Sequence, residues 1–418
     1  MEQPKSTRLS EKSQKRGFSV RRLLIGTVFG IGITLAVIAL VRANQPGTDT
    51  APDVSLVPTP QMIRTLPEKL YKAKQASVDL TDEQPPIGLS VAETLTGLSP
   101  DELQAQLDDF VALKIQWIRL DFDWAVIQRR GPESYDWERL DRVVAAAHEK
   151  DLRLLPILVY TPEWAQPADC RSVRCPPADP ASFARFAEKA AQRYSSQGIH
   201  TWEIWNEPNT SLSWRPAADP AAYTTLLKEA YASITNVDPE AVIISGGLAV
   251  IDTSRGSIAP REYLGRMYEA GVASYFDAVA FHPYSFPALP SHRAQWNGWQ
   301  QMAYTSPSLR SIMESNGDAG KKIWITEYGA PTGGPGSAAE AYIPLTRTSH
   351  VTEAYQKEML ADALRSIQKY PWAGPFFWYS YQDLSTSTDT PENFYGIRRA
   401  DGSTKPAYDA FIEAHSVE

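Results

Sequence analysis

From about Pro86 onward, short runs of apolar residues alternate with longer stretches in which apolar residues recur at helical spacing. Eight of the short runs have the length and composition of buried β-strands. They cover residues 87–91, 115–120, 152–160, 201–205, 241–245, 276–281, 323–326 and 376–379. The helical patterns between them cover residues 100–113, 140–150, 180–196, 220–235, 261–270, 309–316 and 352–369.

This alternation predicts an α/β fold with a parallel sheet, because a helical crossover follows each strand. Eight such units within residues 85–418 match a (β/α)8 TIM barrel, which typically has about 250 residues before insertions. A doubly wound open sheet is the alternative. No glycine-rich phosphate loop follows the first strand, which disfavours a nucleotide-binding form of that sheet. We therefore predict a barrel whose active site lies at the carboxyl ends of the strands.

The first 84 residues do not follow this pattern. Residues 1–22 contain seven Lys or Arg and two Glu, which predicts a basic cytoplasmic tail. Residues 23–41 are apolar and uncharged and are followed by Arg42, so we predict a transmembrane anchor over residues 23–42. Residues 43–84 are rich in Pro, Thr and Asp and are typical of a linker. The chain therefore divides into a tail, an anchor, a linker and a catalytic domain at residues 85–418.

The charge distribution indicates where the protein lies. Basic residues before the anchor place the N-terminus in the cytoplasm and residues 85–418 outside it, at the cell membrane. Cleavage after Ala43 is the alternative, and it would give a secreted protein. The net charge is −8 although the tail is basic, so the remainder is strongly acidic. An acidic body disfavours nucleic acid as a partner.

The only two cysteines, Cys170 and Cys175, lie in a Pro-rich segment. Outside the cytoplasm, this spacing favours a local disulfide, and two free thiols are the alternative. Together with six scattered His residues, the pair offers too few ligands for a zinc site. We therefore predict neither a metal nor a cofactor.

Two Glu residues each lie at the end of an apolar strand. Glu207 lies in the motif WNEP after the fourth predicted strand, and Glu327 lies in ITEYG at the end of the seventh. In a barrel both side chains reach the same mouth, where two carboxyl groups are what hydrolysis of a glycosidic bond requires. For each Glu, a solvated loop position or a structural ion pair is the alternative.

Several motifs carry a resemblance to known enzymes. WNEP, ITEYG, WIRLDFDW and FHPY together resemble clan A of the glycoside hydrolases, and LVYTPEWA and YDWERLDRVV are most similar to family 39, the β-xylosidase group. The resemblance covers about Pro86 to the C-terminus, as a single barrel without the family's additional β-rich domain. It implies a retaining hydrolase that cleaves β-glycosidic bonds by double displacement. Glu207 would be the general acid/base and Glu327 the nucleophile.

Two residues are candidate hydrogen-bond donors to Glu327. Arg119 ends the second predicted strand, and Tyr284 follows the sixth. A guanidinium can fix the orientation of a carboxylate, although a salt bridge inside the barrel is the alternative for Arg119. For Tyr284 the alternative is an ordinary packing role. We expect Glu203 to face the barrel interior as a structural partner of a cation such as Arg119.

Other residues are candidates for binding the sugar. The resemblance implies that Asn206 binds the sugar 2-hydroxyl and that Trp378 forms a stacking surface under the ring. His282 is expected to line the site, with a structural role as the alternative. Tyr160 and Trp164 lie at or just beyond the end of the third predicted strand, where aromatic rings can stack on sugars.

We predict a poly- or oligosaccharide as the substrate, because a single barrel favours an open groove. Two alternatives use the same fold. A cell-surface transglycosylase would pass the same covalent intermediate to a sugar, and a non-catalytic barrel would bind carbohydrate without cleaving it.

Overall fold

The computed structural model describes residues 85–414. The predicted tail, anchor and linker therefore lie outside the described residues. Within residues 85–414, no helix is both long enough and apolar enough to cross a membrane.

Eight parallel strands close into a barrel in the order in which they occur along the chain, which confirms the predicted (β/α)8 fold. The strands are β1 (Ile87–Ala92), β2 (Trp117–Asp123), β3 (Arg153–Val159), β4 (Thr201–Asn206), β5 (Val242–Ala249), β6 (Ala278–His282), β7 (Lys322–Tyr328) and β8 (Ala373–Tyr379). The α-helices of the described residues are α1 (Pro100–Ala112), α2 (Trp124–Ile127), α3 (Glu138–His148), α4 (Pro180–Tyr194), α5 (Pro220–Val237), α6 (Pro260–Glu269), α7 (Gly298–Ala303), α8 (Leu309–Ser315), α9 (Glu353–Ile367) and α10 (Pro406–Ala414).

Three of the crossover helices begin at the same kind of sequence signal. The Ser99 hydroxyl accepts from the Glu102 amide, and the Ser99 amide donates to the Glu102 carboxylate, which completes a capping box at the start of α1. Asp179 caps α4 and Asp219 caps α5 in the same position, and each is followed by Pro. Proline at the first helical position loses no hydrogen bond. These caps explain why the predicted starts at residues 100, 180 and 220 are correct.

The barrel interior is apolar at the amino-terminal end of the strands. A separate cluster of buried side chains fills it, and the cluster consists of Trp117, Leu155, Val242, Ile244, Ala278, Ala280, Trp324 and Phe377. The Trp117 and Trp324 rings meet edge to face with 5.6 Å between centroids. Polar inner residues begin one layer above, toward the carboxyl ends. The barrel is therefore closed below, and its chemistry is restricted to the mouth.

One predicted boundary is wrong in a way that matters for the site. Strand β2 continues to Asp123, whereas the sequence pattern placed its end at Leu120. Arg119 is consequently the third residue of β2 and lies inside the barrel, not at a strand end. Asp121 and Asp123 resemble loop residues in the sequence, but the inner face of a barrel mouth accommodates polar side chains.

Candidate active site

The backbone at the end of β4 leaves the regular strand conformation. Trp205 has φ 71° and Glu207 has φ 47°, values in the left-handed region that residues other than glycine rarely adopt. Trp205 turns away from the barrel and packs against Trp214, with ring centroids 5.3 Å apart. Asn206 turns toward Arg119 instead. The irregular backbone thus brings two consecutive side chains, Asn206 and Glu207, into the mouth.

Arg119 is the centre of the polar network below the mouth and is only 1% exposed. Its Nε and Nη2 donate to the two carboxylate oxygens of Glu203 at 2.6 and 3.0 Å. Nη1 donates to Glu327 Oε1 at 2.5 Å and to Ser90 Oγ at 3.0 Å, and Nη2 also donates to Asn206 Oδ1 at 2.9 Å. Burial opposes the charge, but Glu203 and Glu327 raise the pKa of Arg119 above its ordinary value. Both predicted partners of Arg119 are therefore present.

Glu327 has a donor on each carboxylate oxygen. Arg119 donates to Oε1, and the Tyr284 hydroxyl donates to Oε2 at 3.1 Å. Burial opposes ionisation, but His282, Arg119 and the Tyr284 hydrogen bond together hold the pKa of Glu327 below its ordinary value. Burial and the nearby Glu327 charge raise the pKa of Tyr284 well above its ordinary value, so Tyr284 keeps its proton. Glu327 is therefore an ionised, oriented carboxylate at neutral pH.

His282 lies beside both Glu207 and Glu327, with its Nδ1 3.7 Å from Glu327 Oε2. Its Nδ1 lies 3.1 Å from Glu207 Oε1, and its Nε2 lies 3.0 Å from the Thr326 hydroxyl. Thr326 uses its one proton to donate to Glu203 Oε1 at 3.3 Å, so it accepts from His282 Nε2–H. Nδ1 therefore faces the carboxyl groups. The sequence gives no signal for the role of Thr326, because that role depends on contacts with β4 and β6.

The two carboxyl groups are close together. One oxygen of Glu207, one oxygen of Glu327 and a ring nitrogen of His282 all lie within 4.8 Å of one another. Among the described residues, these side chains have the spacing that could hold a metal ion. Both oxygens of Glu327 already accept hydrogen bonds from protein donors, an arrangement that fits an oriented nucleophile better than an open metal ligand.

Asn206 and Tyr160 leave polar groups available at the mouth. No described residue accepts from the amide nitrogen of Asn206, whose oxygen is bound by Arg119. Tyr160 follows β3 with φ 67° and is half-buried. Burial, together with the charge of Asp121, raises the pKa of Tyr160, so its hydroxyl stays protonated. The Trp164 indole donates to the Gln128 carbonyl oxygen at 2.7 Å, which holds the ring against the end of α2.

Trp378 does not line the sugar site, as the resemblance implied it would. It is fully buried and meets Tyr328 edge to face, with 5.7 Å between ring centroids. In the register of β1 and β8, Trp378 pairs with Leu89, and Tyr379 pairs with Ser90, which Arg119 contacts inside the barrel. Side chains alternate along a strand, so Trp378 points outward and Tyr379 points into the barrel mouth. Tyr379 is thus the β8 aromatic that can meet a sugar.

The structure joins Cys170 and Cys175 in a disulfide. The loop that contains them is tied to the end of β3. The Thr161 amide donates to the Val173 carbonyl oxygen at 2.7 Å, and the Thr161 hydroxyl donates to the Cys175 carbonyl oxygen at 2.6 Å. The bridge therefore fixes a loop that directly follows Tyr160.

Asp121 is a site residue that sequence reasoning missed. It lies two residues beyond Arg119 on the inner face of β2 and is 8% exposed. No described residue donates a hydrogen bond to its side chain. Burial, with Glu93, Glu327 and Asp123 nearby, raises the pKa of Asp121 to about 7 although Arg119 lowers it. The alternation in WIRLDFD was the available signal, because it places Arg119 and Asp121 on one face.

A parallel eight-stranded barrel with paired carboxyl groups after β4 and in β7 defines the class: it is a clan A glycoside hydrolase domain. The sequence model of the cellulase family, glycosyl hydrolase family 5, matches residues 81–364. That match covers more than half of the chain. The chain belongs to glycosyl hydrolase family 5.

Solved structures with the same fold include members of family 39. A family 39 glycoside hydrolase from Bacteroides cellulosilyticus is 22% identical, with a TM-score of 0.59, over 80% of this chain and 64% of that one. The chain thus spans slightly less than two thirds of that relative. A monomeric beta-xylosidase from Caulobacter crescentus is 20% identical, with a TM-score of 0.56, over 81% of this chain and 70% of that one. These similarities show the fold.

A curated protein matches a short segment. Beta-amylase Tri a 17 from Triticum aestivum is 30% identical over 60 residues, which cover 14% of this chain and 12% of the amylase. The predicted clan is therefore confirmed: the family model assigns the chain to family 5, and the resemblance to family 39 is found among solved structures.

Proposed function

We propose that the protein is a retaining glycosidase that hydrolyses β-glycosidic bonds of a poly- or oligosaccharide. The spacing of Glu207 and Glu327 carries the proposal, because an oxygen of each lies within 4.8 Å of the other. Retaining enzymes have carboxyl groups about 5–5.5 Å apart, whereas inverting enzymes need roughly 6.5–9.5 Å to accommodate a water molecule.

In the first step, Glu327 attacks the anomeric carbon and Glu207 donates a proton to the departing oxygen. The bond from the anomeric carbon to the leaving oxygen breaks as an ester bond to Glu327 forms. The lowered pKa of Glu327 supports the nucleophile role, since it keeps the carboxylate ionised. Donors on both oxygens hold it in one orientation, which reduces the entropy cost of attack.

In the second step, Glu207 removes a proton from water as the water oxygen attacks the anomeric carbon. The bond from that carbon to Glu327 breaks, the sugar leaves with its original configuration, and Glu327 is again ionised and Glu207 protonated. The neighbouring His282 Nδ1, at 3.1 Å, supports both roles of Glu207 by fixing the position of its carboxyl group. The Asn206 side-chain nitrogen, from which no described residue accepts a hydrogen bond, supports binding of the sugar 2-hydroxyl. This interaction strengthens toward the transition state.

The test is hydrolysis of aryl β-glycosides (xyloside, glucoside, galactoside and mannoside) by residues 43–418, with added azide. We expect Glu207→Ala to lose most activity and to regain turnover when azide replaces the missing base, giving a β-glycosyl azide. Glu314→Gln, which changes an exposed glutamate on α8, is the matched control and should retain activity. An α-glycosyl azide, or full activity in Glu207→Ala, would contradict the proposal.

Transglycosylation uses the same intermediate, and Glu207 would then activate an acceptor sugar in place of water. Product analysis with and without an added acceptor oligosaccharide separates the two reactions. A hydrolase gives the same products in both cases, whereas a transglycosylase gives a longer product when the acceptor is present.

We further propose that residues 23–42 anchor the protein in the cell membrane, with the catalytic domain outside the cytoplasm. The uncharged apolar segment and the basic residues before it support this placement. Protease treatment of intact cells should digest residues 85–418. Protection of the catalytic domain until the cells are lysed would contradict the placement.

A further inference from the structure

One buried carboxylate at the barrel mouth has no role in the two steps above. Asp121 lies on the same face of β2 as Trp117 and Arg119, above Arg119 toward the mouth. Its side chain is more than nine-tenths buried. None of the described residues donates a hydrogen bond to it. The carboxylate oxygens are not sealed from solvent, so a donor group of a ligand could reach them from the mouth.

Ionisable groups on several strands lie close enough to Asp121 for their charges to act on it. Its electrostatic neighbours include Glu327 on β7, Glu93 after β1 and Asp123 on β2. The charge of Asp121 also raises the pKa of two hydroxyls at the mouth, those of Tyr160 after β3 and Tyr379 on β8. The space in front of Asp121 therefore lies beside the proposed nucleophile.

The local charge favours a hydrogen-bond donor and disfavours an anion. Arg119 is the cation that acts directly on Asp121, but its nitrogens already bind Glu203 and Glu327. A second cation, Arg174 in the disulfide loop, lowers the pKa of Tyr160. A sugar carboxylate placed beside Asp121 would meet like charge, whereas a hydroxyl or an ammonium group would supply the missing donor.

We propose that Asp121 is a specificity-determining residue that accepts a hydrogen bond from a hydroxyl or ammonium group of the sugar bound beside Glu327, and that it excludes sugars bearing a carboxylate. This inference rests on the proposed glycosidase function, because it concerns the same cleft. The substrate class is accordingly neutral or amino sugars, and uronic acids are rejected. The raised pKa of Asp121 is consistent with a carboxylate that lacks a donor.

The first test compares aryl β-glycosides of one ring configuration that carry a hydroxyl, an ammonium or a carboxylate group. At a pH well above 7, where Asp121 is ionised, we expect the unmodified protein to discriminate against the uronide by at least ~100-fold in kcat/KM, since like charges at close range cost several kcal/mol. In Asp121→Asn, kcat/KM for the preferred glycoside should fall about 10–100-fold, as for a lost charged hydrogen bond. Discrimination against the uronide should fall at least ~10-fold.

The same experiment distinguishes whether the sugar donates to Asp121 from an ammonium group or from a hydroxyl group. If the ligand group is an ammonium, Asp121→Asn should reduce turnover of the amino glycoside more than that of the neutral one. If it is a hydroxyl, the neutral glycoside should be reduced at least as much.

Asp123→Asn is the matched control, because it removes the same charge from the same strand. Unlike Asp121, Asp123 has a partner: its Oδ1 accepts from the Val126 amide at 3.1 Å at the start of α2. We expect a lower Tm and a much smaller change in the ratio between glycosides than Asp121→Asn gives, since Asp123 acts on Asp121 only through its charge. If Asp121→Asn also lowers Tm and leaves this ratio unchanged, Asp121 is structural and the proposal is overturned.

A binding measurement keeps the proposal testable if no glycoside in the panel is cleaved. Calorimetry would use Glu327→Gln protein with neutral, amino and uronic oligosaccharides, with and without Asp121→Asn. Binding of a neutral or amino oligosaccharide that weakens at least ~10-fold in the Asp121→Asn double variant supports the proposal even if hydrolysis fails. Equal binding of the uronic oligosaccharide, or binding of none of the three, overturns it.

Discussion

At the residue scale, the ionisation of Glu327 depends on a small set of donors. Burial alone would favour the neutral acid, and Arg119, Tyr284 and His282 reverse that preference. The lowered pKa means that the carboxylate is stabilised in the folded protein relative to the unfolded chain. This contribution to stability is complete above the unfolded pKa and is lost as the pH falls through the folded pKa.

Removal of one donor should therefore move the acid limb of the pH profile. Tyr284→Phe deletes the hydrogen bond to Glu327 Oε2 without changing the ring. We expect the acid limb of kcat/KM to shift to higher pH and kcat to fall about 10–100-fold, the usual effect of losing one electrostatic donor. Tyr304→Phe, an exposed tyrosine, is the control. An unchanged acid limb would show that Tyr284 does not act on the ionisation of Glu327.

Gly247 is a second residue-scale determinant, because the His282 ring lies directly over it. A methyl group at Gly247 would lie 2.0 Å from His282 Nε2, closer than atoms can approach. We expect Gly247→Ala to displace the ring, reduce kcat at least ~10-fold and lower stability by about 1–3 kcal/mol, as for other overpacked sites. Calorimetric unfolding and steady-state kinetics measure the two effects.

Gly265→Ala is the control, because a methyl group at this α6 position meets no atom within 4 Å. It should leave kcat unchanged and should not destabilise the protein, since alanine is a better helix former. If Gly247→Ala retained full activity, the position of His282 would not matter for the reaction.

The sequence predicted that Glu207 and Glu327 reach one mouth and that Arg119 contacts Glu203 and Glu327, because each lies in a motif or a periodic strand. It could not predict Thr326, whose role arises only where β4, β6 and β7 meet. Asp121 was missed for a related reason: an acidic residue in a strand resembles the start of a loop until the barrel mouth is known.

At the element scale, strand ends determine which side chains reach the substrate. The register between β7 and β8 shifts between Ile325 and Tyr328, so Thr326 and Glu327 both reach the mouth although strict alternation would separate them. The left-handed residues at the end of β4 have the same effect on Asn206 and Glu207. Such irregularities are typical of functional sites and cannot be predicted from a period of two.

The directions in which the β8 side chains point give a prediction that compares two neighbouring residues, Trp378 and Tyr379. Tyr379→Ala should raise KM at least ~10-fold with a modest loss of stability, because the ring lies at the mouth and aromatic contacts with ligands contribute ~1–3 kcal/mol. Trp378→Ala should instead destabilise the protein by about 3–5 kcal/mol, as for a buried tryptophan. Kinetics and calorimetric unfolding of both variants measure this difference. A higher KM for Trp378→Ala than for Tyr379→Ala would show that the register assignment is wrong.

The regular elements were largely predictable. Asp179-Pro180 and Asp219-Pro220 mark helix starts through local chemistry alone, since a side-chain cap and a fixed φ need no tertiary contact. The short helix α7 was not predicted, because its residues Gly298–Ala303 are mostly buried and show no amphipathic period.

At the scale of the whole molecule, the barrel separates stability from chemistry. The interior cluster around Trp117 and Trp324 is apolar, and the ion network of Arg119 lies above it. Eight repeated strand–helix units explain why the fold could be predicted from the sequence. The same fold is shared by family 5 and family 39, so it does not specify the sugar. That choice depends on mouth residues such as Asp121 and Tyr379.

The most direct measurement is to trap the covalent intermediate with a 2-deoxy-2-fluoro-glycosyl fluoride of the sugar that the protein hydrolyses. The fluorine slows both steps by destabilising the oxocarbenium-like transition state, and the good leaving group lets the intermediate accumulate. Mass spectrometry of the digested protein should place one sugar on Glu327. Attachment to another carboxylate would contradict the nucleophile assignment, and a product of inverted configuration without any adduct would contradict the retaining mechanism.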